Sequence, residues 1–123
     1  MFCVSVNHVR RVVIGLMLLM LLAGCGQALP PERLIELTVT SSGYEPAEIE
    51  AYVGEIVSIR FRNRDTIAHA LMLELPTGTR IVAAEVGVDA IMTFPINQAG
   101  RFRFACSVPG HTEEGVLVVL PRP

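Results

Sequence analysis

The chemistry in this chain is concentrated in Cys106-Ser107-Val108-Pro109-Gly110-His111. A thiol and an imidazole stand five residues apart on a Pro-Gly loop between two apolar runs. A thiolate is a soft donor and an imidazole a borderline one, so the pair reads as part of a transition-metal site. The chain has three cysteines and three histidines, but Cys3, Cys25 and His8 all lie in its first 25 residues. Beyond that segment the only residues of these types are Cys106, His111 and His69. One distant and two closely spaced donors make a His2Cys set. It suits copper in a trigonal site, because thiolate favours Cu(I) and imidazole serves both oxidation states. Zinc also takes these donors, but structural zinc uses four ligands and usually more cysteines. A single buried cysteine is commonly just a small hydrophobe, and a single histidine on an apolar strand is commonly a core residue. The three together favour a site.

Strands carry these residues. Period-2 alternation marks 35–39, 57–61 and 101–106, where Phe102, Phe104 and Cys106 share one face opposite Arg101, Arg103 and Ala105. Residues 44–52 read as an edge strand kinked at Pro46, since proline cannot donate to a ladder. Further strands are expected at 68–75, 80–85, 90–96 and 116–120. The turns between them are marked by Ser41-Ser42-Gly43, Gly54, Asn63-Arg64-Asp65, Pro76-Thr77-Gly78, Gly87 and Asn97 to Gly100. No convincing helical period occurs after the N-terminal segment. The expected fold is all-β, an antiparallel Greek-key β-sandwich of seven to eight strands.

The N-terminus is different. Arg10 and Arg11 precede an apolar run over residues 12–22, which is the length of a signal-peptide core and short of the ~20 residues a membrane-spanning helix needs. Leu22-Ala23-Gly24-Cys25 then resembles the lipobox of bacterial lipoproteins, which implies lipidation of Cys25. The domain organisation expected is a lipoprotein-type signal peptide at 1–24, a lipidated cysteine and tether at 25–33, and the folded domain at 34–123. The protein is then exported and lipid-anchored at the cell membrane, on its periplasmic or extracellular face. The Arg10-Arg11 pair permits twin-arginine export, without strong support from its neighbours. No disulfide is expected in the mature domain, which leaves Cys106 a lone thiol in an oxidising compartment. A bound metal accounts for it.

Composition narrows the partners. Of 123 residues, 51% are hydrophobic and 18% charged, so one folded domain is expected and disorder is not. Every basic residue is arginine. After the first eleven residues, eight arginines face twelve acids, which argues against nucleic acid as a partner. Arg60, Arg62 and Arg64 alternate along one strand and read as a solvated face. A mature chain of about 99 residues has enough core to fold without disulfides.

Several segments together resemble the cupredoxin family. They are Tyr44-Glu45-Pro46 through Ile49; Val53-Gly54-Glu55; Asn63-x-Asp65-x3-His69; and Phe94 followed by Ala99-Gly100-x-Phe102-x-Phe104-x-Cys106-x2-Pro109-Gly110-His111-x3-Gly115. The resemblance covers about residues 36–120. It implies a type 1 (blue) copper centre holding one ion that cycles between Cu(I) and Cu(II). His69, Cys106 and His111 match the equatorial ligands, and the implied activity is one-electron transfer with no enzymatic turnover. Two departures matter. Val116 stands at the axial position, where relatives commonly have methionine, and valine has no donor atom. The axial position is then empty, water-filled or served by another group. Met72 is a poor substitute because strand alternation points it away from His69. Met92 stays open, and Glu113 or Glu114 supplies an oxygen only if the loop bends unusually. A missing thioether is expected to disfavour Cu(II) and raise the potential. Ala70 follows the first histidine where many relatives have a polar residue that braces the cysteine sulfur. The expected partner is a redox protein. The alternative is a copper storage or delivery module on the membrane surface that passes the metal to an acceptor. Copper oxidases and nitrite reductases need further ligands and domains, and a binuclear oxidase-type site needs a second cysteine in the loop.

Overall fold

The computed structural model describes residues 10–15, 24 and 26–123. Residues 10–15 are helical. Among the described residues, no helix is long and apolar enough to cross a membrane. Cys25, the expected lipidation site, lies outside the described residues, as does most of the apolar run before it.

Nine strands follow: β1 (Glu32–Thr40), β2 (Gly43–Glu45), β3 (Glu48–Tyr52), β4 (Ile56–Asn63), β5 (His69–Leu75), β6 (Gly78–Ala84), β7 (Asp89–Pro95), β8 (Gly100–Ala105) and β9 (Glu114–Leu120). They form two sheets, in the orders β2-β1-β4-β7 and β3-β9-β8-β5-β6. The all-β sandwich is as expected. The count is one higher because residues 44–52 form two strands. Pro46 interrupts the ladder, and the chain passes from β2 in one sheet to β3 at the edge of the other. That crossing makes two pairings parallel, β1 with β4 and β3 with β9, in a sandwich expected to be antiparallel. Alternation reports which face a residue occupies and carries no information on the direction of the neighbouring strand.

The first strand also begins earlier than expected. Glu32 and Arg33, assigned from sequence to a tether, pair with Ile56 and Val57 of β4. Arg33 is held there by Glu55, whose two carboxylate oxygens accept from its Nε at 2.9 and 2.7 Å.

The core lies between the sheets. Leu37 and Val39, Val57, Ile59 and Phe61, and Met92 and Phe94 come from one sheet; Leu71, Leu73, Phe104, Leu117 and Val119 come from the other. Phe61, Phe94 and Phe104 are completely or almost completely buried, each stabilising the fold by about 2–3 kcal/mol. Tyr44 joins the layers edge-on to Phe104, with ring centroids 5.2 Å apart. The outer faces are charged. Arg60 and Arg62 reach Glu36 on β1 at 3.4 and 3.2 Å, the solvated face expected from their alternation.

Candidate metal centre

His69 opens β5, and Cys106 stands one residue beyond β8, its antiparallel neighbour. The two residues therefore meet at one end of the sandwich. The loop after Cys106 folds back on itself. Gly110 takes a left-handed φ of 83°, which side chains with a Cβ disfavour, and the His111 N–H donates to the Val108 carbonyl at 3.1 Å. The Cys106 N–H then donates to the Glu113 carbonyl at 3.1 Å, closing the loop and leading into β9. This places His111 above Cys106 and beside His69.

The donor atoms converge. Cys106 Sγ lies 3.9 Å from His69 Nδ1 and 3.4 Å from His111 Nδ1, and the two nitrogens are 3.3 Å apart. The point equidistant from the three lies about 2.1 Å from each, within the ~2.0–2.3 Å range of metal–imidazole and metal–thiolate bonds. A fourth donor joins them: Glu113 Oε2 lies 3.8 Å from His69 Nδ1 and 3.6 Å from His111 Nδ1. All four donor atoms fall within 4.8 Å of one another. That carboxylate oxygen is buried and makes no hydrogen bond. An orphaned anionic oxygen facing a thiol and two imidazoles fits a bound cation, because burial without a partner is costly.

The surroundings fix the donors. The His69 side chain is 0% exposed, and its Nε2 lies 2.7 Å from Asp65 Oδ2. An ionised carboxylate only accepts, so Nε2 carries the proton and Nδ1 presents its lone pair to the cluster. The His69 imidazole, together with the Thr66 backbone N–H, holds the Asp65 carboxyl below its ordinary value. Asn63, buried at the end of β4, ties down the intervening loop. Its Nδ2 donates to the carbonyls of Ile67 at 2.8 Å and Ala84 at 3.0 Å, and its Oδ1 accepts from the Asp65 N–H at 2.9 Å.

The sulfur is braced by backbone. The Ala70 N–H donates to Cys106 Sγ at 3.4 Å, so the alanine that lacks a polar side chain supplies its main-chain donor instead. Ala70 is anchored in turn by the Tyr44 hydroxyl, which donates to its carbonyl at 2.6 Å. Burial, followed by the nearby Cys106 and Glu113, pushes the Tyr44 pKa well above its ordinary value, so the hydroxyl stays a neutral donor.

Val116, expected at the axial position without ligating, supplies no donor atom. It lies on β9 opposite Arg103, on the strand's outer face, while Leu117 and Val119 point into the core. It borders a groove lined by Arg101, Arg103 and Glu114 and faces away from the donor cluster. The near neighbour of the three donors is Glu113. Met72 lies on the face of β5 opposite His69, half-buried between Ile81 and Ala105. Met92 sits in the core on β7, in the other sheet. Asn63 and Asp65 belonged to the sequence motif, but their service to His69 emerges only from the contacts. The Ala70 N–H had no signal at all, since every residue except proline carries one.

Two β-sheets packed face to face, with a thiol, two imidazoles and a carboxylate gathered at one end, define a metal-binding β-sandwich. The cupredoxin-like domain family model matches residues 12–119, so this chain belongs to that family. Solved structures agree on the fold. A dithionite-reduced auracyanin from Roseiflexus castenholzii is 18% identical over 72% of this chain and 97% of its own, with a TM-score of 0.65. Auracyanin A, a blue copper protein from Chloroflexus aurantiacus, is 24% identical over 72% of this chain and 99% of its own, with a TM-score of 0.60. The metal-binding domain of the Cu(I)-exporting P-type ATPase CopA of Streptococcus pneumoniae D39, solved with Cu(I), is 20% identical over 72% of this chain and 86% of its own, with a TM-score of 0.60. No curated protein matches the chain.

Proposed function

We propose that this chain is an electron-transfer protein in which His69, Cys106 and His111 hold one copper ion. The observation that carries the reading is the convergence of Cys106 Sγ and the two Nδ1 atoms, 3.3–3.9 Å apart. When bound, copper supplies a one-electron Cu(I)/Cu(II) couple. The protein's part is to hold the donors still. Asp65 orients the His69 ring, the Ala70 N–H fixes the sulfur, and Asn63 and Tyr44 anchor the segments that carry them. Donors fixed in this way need little rearrangement between oxidation states, which favours electron exchange over bond-making chemistry.

The electron's route to a partner is the His111 side. Its side chain is 16% exposed, whereas that of His69 is 0% exposed. Around it are half-buried Val108 and exposed Pro109, and Ile67 is half exposed two residues before His69. An apolar rim around an exposed ligand edge suits docking of a redox protein. Export and anchoring through a lipidated Cys25 complete the proposal, placing the domain at the membrane's outer or periplasmic face. Exposed residues 26–31 would be the tether.

The second reading is copper storage or delivery. It draws on the likeness to the metal-binding domain of a Cu(I)-exporting ATPase and on the partly exposed His111, through which an acceptor could reach the metal. One experiment separates the two. Cu(II) is added to the purified protein and to Cys106→Ser. An intense visible thiolate-to-copper band in the first and not the second, with reversible one-electron cycling, supports electron transfer. A colourless Cu(I) complex that passes its metal to an acceptor and does not cycle supports delivery. Failure to bind copper refutes both.

A further inference from the structure

We propose that Glu113 is the fourth ligand of this site, an anionic oxygen donor where the family resemblance leads one to expect a neutral thioether. The inference rests on the copper reading above and adds to it. Three observations converge. Glu113 Oε2 is buried and without a hydrogen-bond partner, yet lies at 3.8 and 3.6 Å from the two Nδ1 atoms. Its direction is set by backbone, because the Glu113 carbonyl accepts from the Cys106 N–H, which fixes the residue beside the thiol. Its neighbour Glu114 is turned the other way: that carboxylate pairs with Arg103 at 3.1 Å, and its side chain is 64% exposed, against 19% for Glu113. One acid of the pair is therefore solvated and paired with an arginine, while the other turns one oxygen, Oε2, out of water with only the donor cluster before it.

Without a cation this arrangement is costly. A carboxylate oxygen removed from water needs hydrogen bonds or a positive charge, and no arginine faces Glu113 among its described ion-pair partners. A metal ion at the cluster supplies that charge. A thiolate and a carboxylate together carry two negative charges, which neutralise Cu(II) and leave Cu(I) over-compensated. The carboxylate also favours the harder ion. The site should therefore hold Cu(II) more firmly than a three-donor His2Cys site, and its potential should lie lower. This is the reverse of the expectation drawn from a missing methionine.

The test compares copper-loaded wild type with Glu113→Gln and Glu113→Ala. The readouts are Cu(II) and Cu(I) affinity by chelator competition, reduction potential, the thiolate-to-copper band and metal-free thermal stability. The expected result is a loss of at least tenfold in Cu(II) affinity relative to Cu(I), a rise in potential of about 59 mV per tenfold, and a shifted band. Metal-free Glu113→Ala should melt at or above the wild-type temperature, because the orphaned carboxylate is gone. The proposal is overturned by variants whose potential, band and affinity match wild type, or by variants that lose as much stability without metal as with it. If wild type shows the thiolate band and the Glu113 variants change nothing, only the carboxylate falls. If wild type binds no copper, the proposed function falls and the fourth ligand with it.

Discussion

Replacing Asn63 with alanine tests how the first histidine is held. Asn63 is 1% exposed and makes three hydrogen bonds across the 63–69 loop and to β6, at 2.8, 3.0 and 2.9 Å. Alanine removes all three. Each such bond is worth about 1 kcal/mol net, and a buried group left unpaired adds its desolvation cost. The Ile67 carbonyl belongs to a half-exposed residue, and water can reach it. The Ala84 carbonyl belongs to a residue 1% exposed and cannot be rehydrated without opening the sheet. The expected loss is about 3 kcal/mol, which for a domain of this size is a fall in Tm of roughly 12–24 °C. The assay is thermal and urea unfolding of the metal-free protein followed by circular dichroism, which separates this loss from any effect of metal. Asn63→Asp is the companion variant. It keeps the acceptor for the Asp65 N–H but sets a carboxylate oxygen against two carbonyls, so it should lose at least as much. Metal affinity should fall in both, because the loop places Asp65 against His69. A loss under about 1 kcal/mol for Asn63→Ala, or an Asp variant as stable as wild type, would refute the reasoning.

Three further predictions follow from the geometry. Val116→Met should leave the reduction potential and the visible spectrum unchanged, because residue 116 faces Arg103 on the outer side of β9; a lowered potential would mean that the side chain reaches the copper. Gly115→Ala should cost about 2–3 kcal/mol in denaturant unfolding, since a Cβ there would overlap the Phe104 ring and the Ala47 carbonyl, and backbone cannot swing aside. Glu55 governs acid stability: burial pushes its carboxyl up, but the Arg33 hydrogen bond, the Tyr52 N–H and the charges of Arg33 and Arg122 outweigh this and hold it below 4.5. A depressed carboxyl stabilises the fold above its unfolded value, near 4.5, and that contribution disappears as pH falls through the lower folded value. Arg33→Ala should therefore move the acid-unfolding midpoint, followed by circular dichroism, to higher pH; a midpoint unmoved or lowered would contradict the pairing.

Residue types and their spacing were enough for the strand pattern and for the identity of the three donors that meet. Alternation in 57–61 and 101–106 is a direct consequence of one face being buried, so β4 and β8 were legible from side-chain types alone. His69, Cys106 and His111 could be chosen because so few residues of these types lie outside the N-terminal segment. Three things needed the tertiary structure. The parallel pairing of β1 with β4 follows from the chain changing sheets at Pro46, which periodicity does not register. The bracing of the sulfur comes from the Ala70 main chain, and a backbone donor is invisible in a residue's identity. Which loop side chain turns toward the three donors is the third. Counting along the chain set a non-ligating Val116 at the axial position and left Glu113 and Glu114 open, and it is Glu113 that the bond from the Cys106 N–H to its carbonyl holds beside the thiol. Position in a loop is set by its hydrogen bonds, and these are decided only once Cys106 and β9 are fixed side by side.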